Sequence, residues 1–158
     1  IQGKSLLFNI AVTSYHRITK GFIKVGKLTR NLVNSIIKDV SIRPPEPDRL
    51  INLLSGGNQQ KVVIGKWLAA NIKLLILDEP TRGVDVGARE DIYNVIREHA
   101  KRGLSVLLSS SDLREIMLAS DRILVMRLGK IVQEVIPSQT TENDLLQLVL
   151  GKGYKPYK

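Results

Sequence analysis

Two adjacent carboxylates, Asp78 and Glu79, end an uninterrupted apolar run at residues 74–77, and Pro80 follows them directly. A run without polar alternation is typical of a strand buried on both faces of a parallel sheet. An acid at the carboxyl end of such a strand lies where α/β folds bind ligands, and it can hold Mg²⁺ through water molecules. The neighbouring glutamate can then polarise an attacking water. Taken alone, the same pair fits a polar strand exit into a turn equally well.

A glycine turn precedes the carboxylates and opens a predicted helix. Its residues are Ser55, Gly56, Gly57 and Asn58. Glycines let a backbone approach a ligand closely, and free N–H groups at a helix start form an anion site. An ordinary helix cap by Ser55 explains the turn more simply when it is considered alone. A third segment, Gly83-Val84-Asp85, follows the carboxylates and indicates little by itself. The order of the three segments suggests phosphate chemistry.

The elements that must position these residues follow from apolar spacing. Helices are predicted at residues 5–14 and 27–40, and the proline-rich stretch at residues 44–47 is the expected internal boundary. In the helix after the glycine turn, one face is expected to be buried and two lysines to point away from it. The expected buried residues are Val62, Val63, Trp67 and Ala70, and the lysines are Lys61 and Lys66.

Strands and helices alternate in the second half of the chain. The predicted elements are a helix at 88–103, a strand at 104–109, a helix at 112–119, a hairpin of strands at 122–127 and 130–136, and a final helix capped by Thr140 or Thr141. This alternation predicts an α/β fold with a mainly parallel sheet. His16 in a connector and His99 in a charged helix are expected on the surface rather than as ligands or bases.

Composition narrows the possible functions. The 158 residues contain no cysteine, which excludes disulfides and thiolate zinc sites. No apolar run approaches the roughly 18 residues of a membrane-spanning helix, and no export signal is recognisable. Of the net charge of +9, residues 1–54 carry +6 and the tail GKGYKPYK adds three lysines. A basic surface fits nucleic acid, anionic lipid or an acidic partner. Aromatics for base stacking make up only 4% of the chain, and a solvated face is as good an explanation.

In this order and spacing, the three segments resemble the motifs of ATP-binding cassette (ABC) ATPases. Residues 54–57 are similar to the family signature, residues 74–79 to the Walker B strand, and residues 83–85 to the D-loop. The likeness covers about residues 9–151. The longer wording LSGGNQQK, then LDEPTRGVDVGAR and SDRILVM, is similar to the C-terminal cassette of the tandem-cassette ATPases of bacterial monosaccharide importers of the ribose, xylose or galactose type.

The resemblance implies a role for each matching residue. Ser55, Gly56, Gly57 and Asn58 bind the nucleotide of an opposite cassette, because the family sandwiches ATP between two cassettes. Asp78 holds Mg²⁺ through water, and Glu79 is the catalytic base. Gly83, Val84 and Asp85 communicate across the pair. Stabilisation of the transferred phosphate is electrostatic, as is general for phosphoryl transfer.

The resemblance also implies the domain plan. It predicts an α-helical subdomain at residues 1–68, and at residues 69–158 the second half of a P-loop NTPase (RecA-like) core. The partners implied are a second cassette, permease subunits and, indirectly, a sugar-binding protein, at the cytoplasmic face of the cell membrane. Nucleic acid is not an expected partner.

Three departures from the family pattern stand out. Ser111 occupies the switch position where the family has histidine, and Asn58 replaces the usual glutamine. No G-x-x-x-x-G-K-[ST] loop is present, and Gly3-Lys4-Ser5 lies too close to the signature, without a preceding strand, to serve as one. We therefore expect a C-terminal fragment of a cassette with an exposed sheet edge, and weak or no ATP binding by the isolated chain.

Two alternatives to sugar import remain open from the sequence. An ABC-type ATPase of DNA repair or chromosome maintenance shares the signature and Walker B logic and suits a basic chain, although such proteins usually insert coiled coils or zinc modules that are absent here. A catalytically degenerate, regulatory cassette suits Ser111 and the missing phosphate loop.

Overall fold

The computed structural model describes residues 1–14 and 25–152. Its elements are α1 (Leu6–Ala11), α2 (Val25–Asp39), α3 (Gly56–Ala69), β1 (Leu74–Asp78), α4 (Val86–Lys101), β2 (Ser105–Ser109), α5 (Leu113–Ala119), β3 (Ile123–Arg127), β4 (Lys130–Val135) and α6 (Glu142–Val149). Short 3₁₀ turns lie at Ile51–Leu53 and Pro137–Gln139. The connector with His16 and the end of the basic tail lie outside the described residues. Within the described ranges, none of the helices is long and apolar enough to cross a membrane.

The chain divides into two compact units that do not follow its order strictly. Unit 1 comprises Ile1–Ile76 and Pro80–Leu107, and unit 2 comprises Leu77–Glu79 and Leu108–Lys158. These units reflect backbone packing. The division into residues 1–68 and 69–158, which rests on family resemblance, stays a prediction.

Unit 1 has a helical core built by α1, α2 and α3. Its buried apolar residues include Leu6, Ile10, Val33, Ile36, Ile37, Val40, Val62 and Ile64. The approach of α3 to α2 is close at Gly65, where an added Cβ would lie 2.8 Å from Ile36 Cγ2. Helix α3, which follows the glycine turn and is called the signature helix below, therefore packs directly against α2 of the same unit.

The buried face of α3 differs from the predicted one. Val63 and Trp67 are 43% and 42% exposed, whereas Lys61 is buried at 5%. The prediction that apolar residues alone mark the inner face is wrong here because three helices, α1, α2 and α4, pack against α3. A lysine that pairs with one of them can be buried in place of an apolar side chain.

His99 was also predicted to be a surface residue, and this is wrong. Its side chain is 13% exposed and its Nε2 lies 3.0 Å from Asp39 Oδ2. Asp39 also accepts a 2.8 Å hydrogen bond from Arg102. The end of α2 thus meets the end of α4 through two basic residues.

Strands β1 and β2 form a parallel pair. Ser105 N donates to Lys73 O at 3.0 Å, and Glu79 N donates to Ser109 O at 2.8 Å, so both strands run in the same direction. The prediction that β1 is buried on both faces is wrong, since Leu74 and Ile76 are 52% and 65% exposed. Leu75 and Leu77 are buried. Only one face of β1 is covered by residues that the structure describes.

Unit 2 contains the predicted hairpin. Strands β3 and β4 pair antiparallel from Ile123 with Val135 to Arg127 with Lys130. Leu128 and Gly129 join them with φ of 49° and 75°, and a type I′ hairpin turn requires positive values at both of its central residues. The hairpin packs with α5 and α6 around a small core of Ile116, Ile123, Val125 and Leu145.

Helix α6 begins with a capping box at Thr141. Asp144 N donates to Thr141 Oγ1 at 3.1 Å, and Thr141 N donates to Asp144 Oδ2 at 3.1 Å. The Thr141 hydroxyl also donates to this carboxylate at 2.6 Å. These bonds from the Thr141 side chain and backbone hold the pKa of Asp144 below its ordinary value. Of the two candidate caps, Thr141 is the one used.

We expect Thr141→Val to lower the free energy of unfolding by about 1 kcal/mol, the usual effect of losing a helix cap. The matched control is Thr140→Val, which changes the neighbouring threonine and leaves the cap in place. The loss should be full above the ordinary Asp144 pKa of 3.8. It should shrink as the pH falls through the lowered pKa of the folded state, where the protonated carboxyl no longer accepts both bonds. Urea unfolding at pH 7 and pH 3 measures both effects, and equal losses for the two variants would contradict the assignment.

Candidate functional site

The glycine turn is organised around the hydroxyl of Ser55. Ser55 is the N-cap residue of α3, but its side chain makes no capping hydrogen bond. Its Oγ instead accepts a hydrogen bond from Asn58 Nδ2 at 3.0 Å. Asn58 Oδ1 in turn accepts from Arg43 N at 2.8 Å. The hydroxyl hydrogen of Ser55 therefore remains available to a ligand, and Asn58 orients the serine.

The loop at Gly83, Val84 and Asp85 is fixed by its own backbone and by α4. Asp85 caps α4, with Oδ1 accepting from Ala88 N at 2.9 Å. Val84 is buried, and its carbonyl oxygen accepts from Arg89 Nε at 3.0 Å. Just before this loop, the buried Thr81 hydroxyl lies 3.0 Å from the hydroxyl of Tyr93. The acid of this loop thus serves the helix start.

These two segments lie side by side in unit 1. A Cβ added at Gly57 would lie 2.5 Å from Ala88 Cβ, and one added at Gly56 would lie 3.9 Å from Gly83 O. The starts of α3 and α4 are therefore adjacent, and α3 has no acidic residue in its first turn. The start of α3, which no side chain caps, favours an anion, whereas Asp85 already occupies the start of α4.

The carboxylate pair belongs to unit 2 with the predicted switch position. Asp78 is the exposed last residue of β1. Glu79 adopts a φ of +46°, unusual for a residue with a side chain, and directs its carboxylate to the end of β2. Its Oε1 accepts from Ser111 N at 2.8 Å, and its Oε2 lies 3.4 Å from Ser110 Oγ. The structure thus brings Glu79 and Ser111 together, through the backbone of Ser111.

Ser110 and Glu115 complete this group, and sequence reasoning missed both. Ser110 Oγ hydrogen-bonds the buried carboxylate of Glu115 and accepts from Asp112 N at 3.1 Å. Asp112 caps α5, and Glu115 lies in its first turn. The spacing of a cap residue followed three positions later by an acid is the sequence signal that could have identified Glu115.

Asp78 is the residue suited to a cation. In the described part of the chain, no hydrogen bond or ion pair engages its carboxylate, and no cluster of three or more metal-binding side chains is present. A single exposed carboxylate fits Mg²⁺, which usually keeps several of its waters. It does not fit a dehydrated metal enclosed by protein ligands.

Gly3-Lys4-Ser5 does not form a phosphate loop. Ser5 caps the short helix α1 by accepting from Phe8 N at 3.2 Å. The Lys4 ammonium lies 5.7 Å from the centre of the Phe8 ring. The serine and the lysine thus both make contacts within the α1 turn.

Comparison with known proteins gives consistent matches. The family model described as ABC transporter matches residues 28–82. The chain is 45% identical over 144 residues to the arabinose import ATP-binding protein AraG of Pseudomonas savastanoi pv. phaseolicola, covering 91% of the chain and 28% of that protein. It is 50% identical over 123 residues to AraG 2 of Burkholderia ambifaria, covering 78% of the chain and 24% of that protein. The chain thus spans under a third of these relatives.

Solved structures show the same fold at low sequence identity. The ADP conformation of an ATP-binding cassette of an ABC transporter matches with a TM-score of 0.73 at 23% identity, over 94% of this chain and 60% of that one. A dimeric post-hydrolysis state of an ATP-binding cassette bound to ADP and phosphate matches with a TM-score of 0.71 at 23% identity, over 87% of this chain and 58% of that one. The α/β cassette fold predicted from the sequence is confirmed.

Proposed function

This chain belongs to the ABC family of transporter ATPases, and we propose that it is part of a cassette whose ATP hydrolysis powers uptake of a monosaccharide. The observation that carries the proposal is the 45% identity over 91% of the chain to an arabinose import ATP-binding protein. The geometry agrees, because no side chain caps the start of α3, which is open to a phosphate, and a glutamate is held at the end of a parallel strand. The expectation of a ribose, xylose or galactose type of importer is thereby widened to monosaccharides in general.

In this proposal, the two units serve different nucleotides. Ser55, Gly56 and Gly57 act in trans on ATP held by a second cassette, and Gly83, Val84 and Asp85 lie beside them. This division is supported by the free Ser55 hydroxyl and by the adjacent starts of α3 and α4. Asn58 acts on the nucleotide only through Ser55, since its own amide is engaged on both sides.

Asp78 and Glu79 serve the nucleotide of this cassette. Asp78 would hold Mg²⁺ through its waters, and the ion would supply positive charge beside the phosphates. Glu79 accepts a proton from the attacking water as the water oxygen bonds to the γ-phosphorus, while the bond from that phosphorus to the β–γ bridging oxygen breaks and ADP leaves. The Ser111 amide keeps the carboxylate pointed at the end of β2. The phosphate-binding loop, absent from the 158 residues, comes from other residues of the cassette, so the isolated chain does not hydrolyse ATP.

The partners and location belong to the same proposal. The cassette pairs with a second cassette, in the way that the solved dimeric relative does. It acts at the cytoplasmic face of the cell membrane as a peripheral subunit bound to permease subunits, and a sugar-binding protein delivers the sugar to them. The positive charge of residues 1–54 requires no nucleic-acid partner in this arrangement.

A second candidate is a regulatory cassette that binds nucleotide without turning it over. Ser111 favours it, because the observed contact of Ser111 with Glu79 is made by its backbone N–H. A serine hydroxyl has neither the reach nor the charge of the imidazole that the family places at this position. Catalysis by Glu79 then separates the two candidates.

A hybrid ATPase tests the proposal. In it, the 144 aligned residues of the Pseudomonas savastanoi AraG protein are replaced with those of this chain. We expect the hybrid to hydrolyse ATP and to restore growth on arabinose to a strain that lacks its own import ATPase. A folded hybrid that binds ATP without hydrolysis points to the regulatory cassette. One that neither binds nor hydrolyses ATP contradicts both candidates.

A further inference from the structure

Lys61 is a buried cation in the middle of the signature helix. Its side chain is 6% exposed, and its ammonium lies 2.8 Å from Asp91 Oδ2 on α4. The ammonium also lies 3.5 Å from the carbonyl oxygen of Ser41, just after α2. The Asp91 side chain is 62% exposed. The pair is therefore buried on the lysine side only, and it bridges α3 to α4.

The pair continues a line of close contacts along one side of α3. One turn before it, Gly57 meets Ala88 of α4, where an added Cβ would lie 2.5 Å from Ala88 Cβ. One turn after it, Gly65 meets Ile36 of α2. The contacts of α3 with α4 rise together in residue number, from Gly57 with Ala88 to Lys61 with Asp91. The two helices thus run in the same direction here, with the signature turn and the Asp85 loop at the same end.

Stability alone does not account for a lysine at this position. Burying an ammonium carries a desolvation penalty that an ion pair offsets only in part, and apolar replacements of buried pairs are often neutral or stabilising. Methionine has a similar length and no charge. The ion pair favours one position of α4 relative to α3, because its energy depends on where the Asp91 carboxylate lies. Apolar contacts are non-directional and would allow the two helices to shift along each other.

We propose that the Lys61–Asp91 ion pair is a positioning element. It fixes the signature turn (residues 55–57) relative to the Asp85 loop (residues 83–85), so that both reach the partner cassette's nucleotide as one rigid unit. The effect of the ion pair on catalysis rests on the proposed function, but its effect on the distance between the two segments does not. Lys61 and Asp91 touch no nucleotide in this proposal. They act through Ser55 to Gly57 on one side and through Gly83 to Asp85 on the other.

The first test measures geometry in the chain itself. The chain has no cysteine, so spin labels can be attached at Leu53→Cys and Val86→Cys, both exposed positions. Double electron–electron resonance then measures the distance between the two segments. We expect Lys61→Met to broaden the distance distribution without lowering the melting temperature. Lys61→Arg keeps the charge and should retain the narrow distribution. Asp91→Ala should lower the melting temperature more than Lys61→Met does, because it leaves the ammonium buried without its carboxylate.

The second test measures turnover in the hybrid ATPase. A misplacement of about 1 Å can reduce a rate 10²-fold, and a smaller displacement is expected here, so Lys61→Met should lower kcat by about tenfold. Lys61→Arg should stay within about twofold of the unsubstituted hybrid. An unchanged distance distribution in Lys61→Met, or equal losses of kcat in Lys61→Met and Lys61→Arg, overturns the proposal. An unsubstituted hybrid without ATPase activity overturns the proposed function instead, and the distance measurement still decides the role of the ion pair.

Discussion

Glu79→Gln in the hybrid ATPase is expected to lower kcat by about 10²- to 10⁴-fold, the range in which a lost general base usually falls. The amide oxygen of glutamine keeps one acceptor for the Ser111 N–H, which now binds Glu79 Oε1 at 2.8 Å. An amide cannot take the proton of the attacking water at neutral pH. The change therefore removes chemistry while it preserves the local hydrogen bond, and ATP binding should persist.

Two controls separate lost chemistry from lost structure. Glu90→Gln makes the same substitution at an exposed position on α4, and it should leave kcat unchanged. Hydrogen exchange of the Ser111 amide in the 158-residue chain should be similar with Glu79 or glutamine and faster in Glu79→Ala. A loss of kcat below threefold in Glu79→Gln would show that another group activates the water, and Glu115, linked to Glu79 through Ser110, is the first candidate.

The architecture was predictable wherever a pattern is local. The glycine turn, the acid after β1, the turn at Leu128-Gly129 and the Thr141 cap each depend on a few consecutive residues. In such short segments, backbone geometry and capping determine the local structure almost completely. This is why the elements agree with the sequence prediction to within a few residues, and why family motifs could be placed on them.

The errors arose where the environment of a residue is set by distant parts of the chain. Trp67 and Val63 have the spacing of a buried face, yet they are exposed, while Lys61 is buried. Apolar periodicity identifies a buried face only when one partner covers the helix, and α3 packs against three helices. The partner of Lys61 lies on α4, 30 residues further on. No local pattern reports which carboxylate a lysine will meet.

The same reasoning applies to the candidate site. The types and order of Ser55, Asp78, Glu79 and Asp85 carried the phosphate hypothesis. Their contacts did not follow from the sequence. That Glu79 is held by a backbone amide rather than by a side chain at the switch position depends on how the ends of β1 and β2 meet. That Asn58 supports Ser55 depends on the fold of the proline-rich segment before it, through Arg43.

Gly57→Ala is the strongest expected perturbation of the fold, although alanine is the better helix former. The new methyl would lie 2.5 Å from Ala88 Cβ, too close for two carbons, whereas a methyl at Gly56 meets only Gly83 O at 3.9 Å. Overpacking of this kind costs about 1–3 kcal/mol. Alanine gains less than the roughly 1 kcal/mol of helix propensity over glycine that applies in a helix interior, because both positions lie in the first turn of α3. We therefore expect Gly57→Ala to lower the free energy of unfolding by about 1–2 kcal/mol and Gly56→Ala to leave it unchanged or raise it.

A double substitution decides whether the contact with Ala88 is the cause. Ala88→Gly removes the only atom within 3.4 Å of the added methyl, since Val84 Cγ1 and Ala88 Cα lie at 3.7 and 3.8 Å. In the Ala88→Gly background, Gly57→Ala should therefore cease to destabilise and should contribute its helix propensity instead. Urea unfolding of the four chains gives the coupling energy directly. An equal loss of unfolding free energy in both backgrounds would show that the strain does not come from Ala88. The close contact between α3 and α4 would then not explain the glycine at position 57.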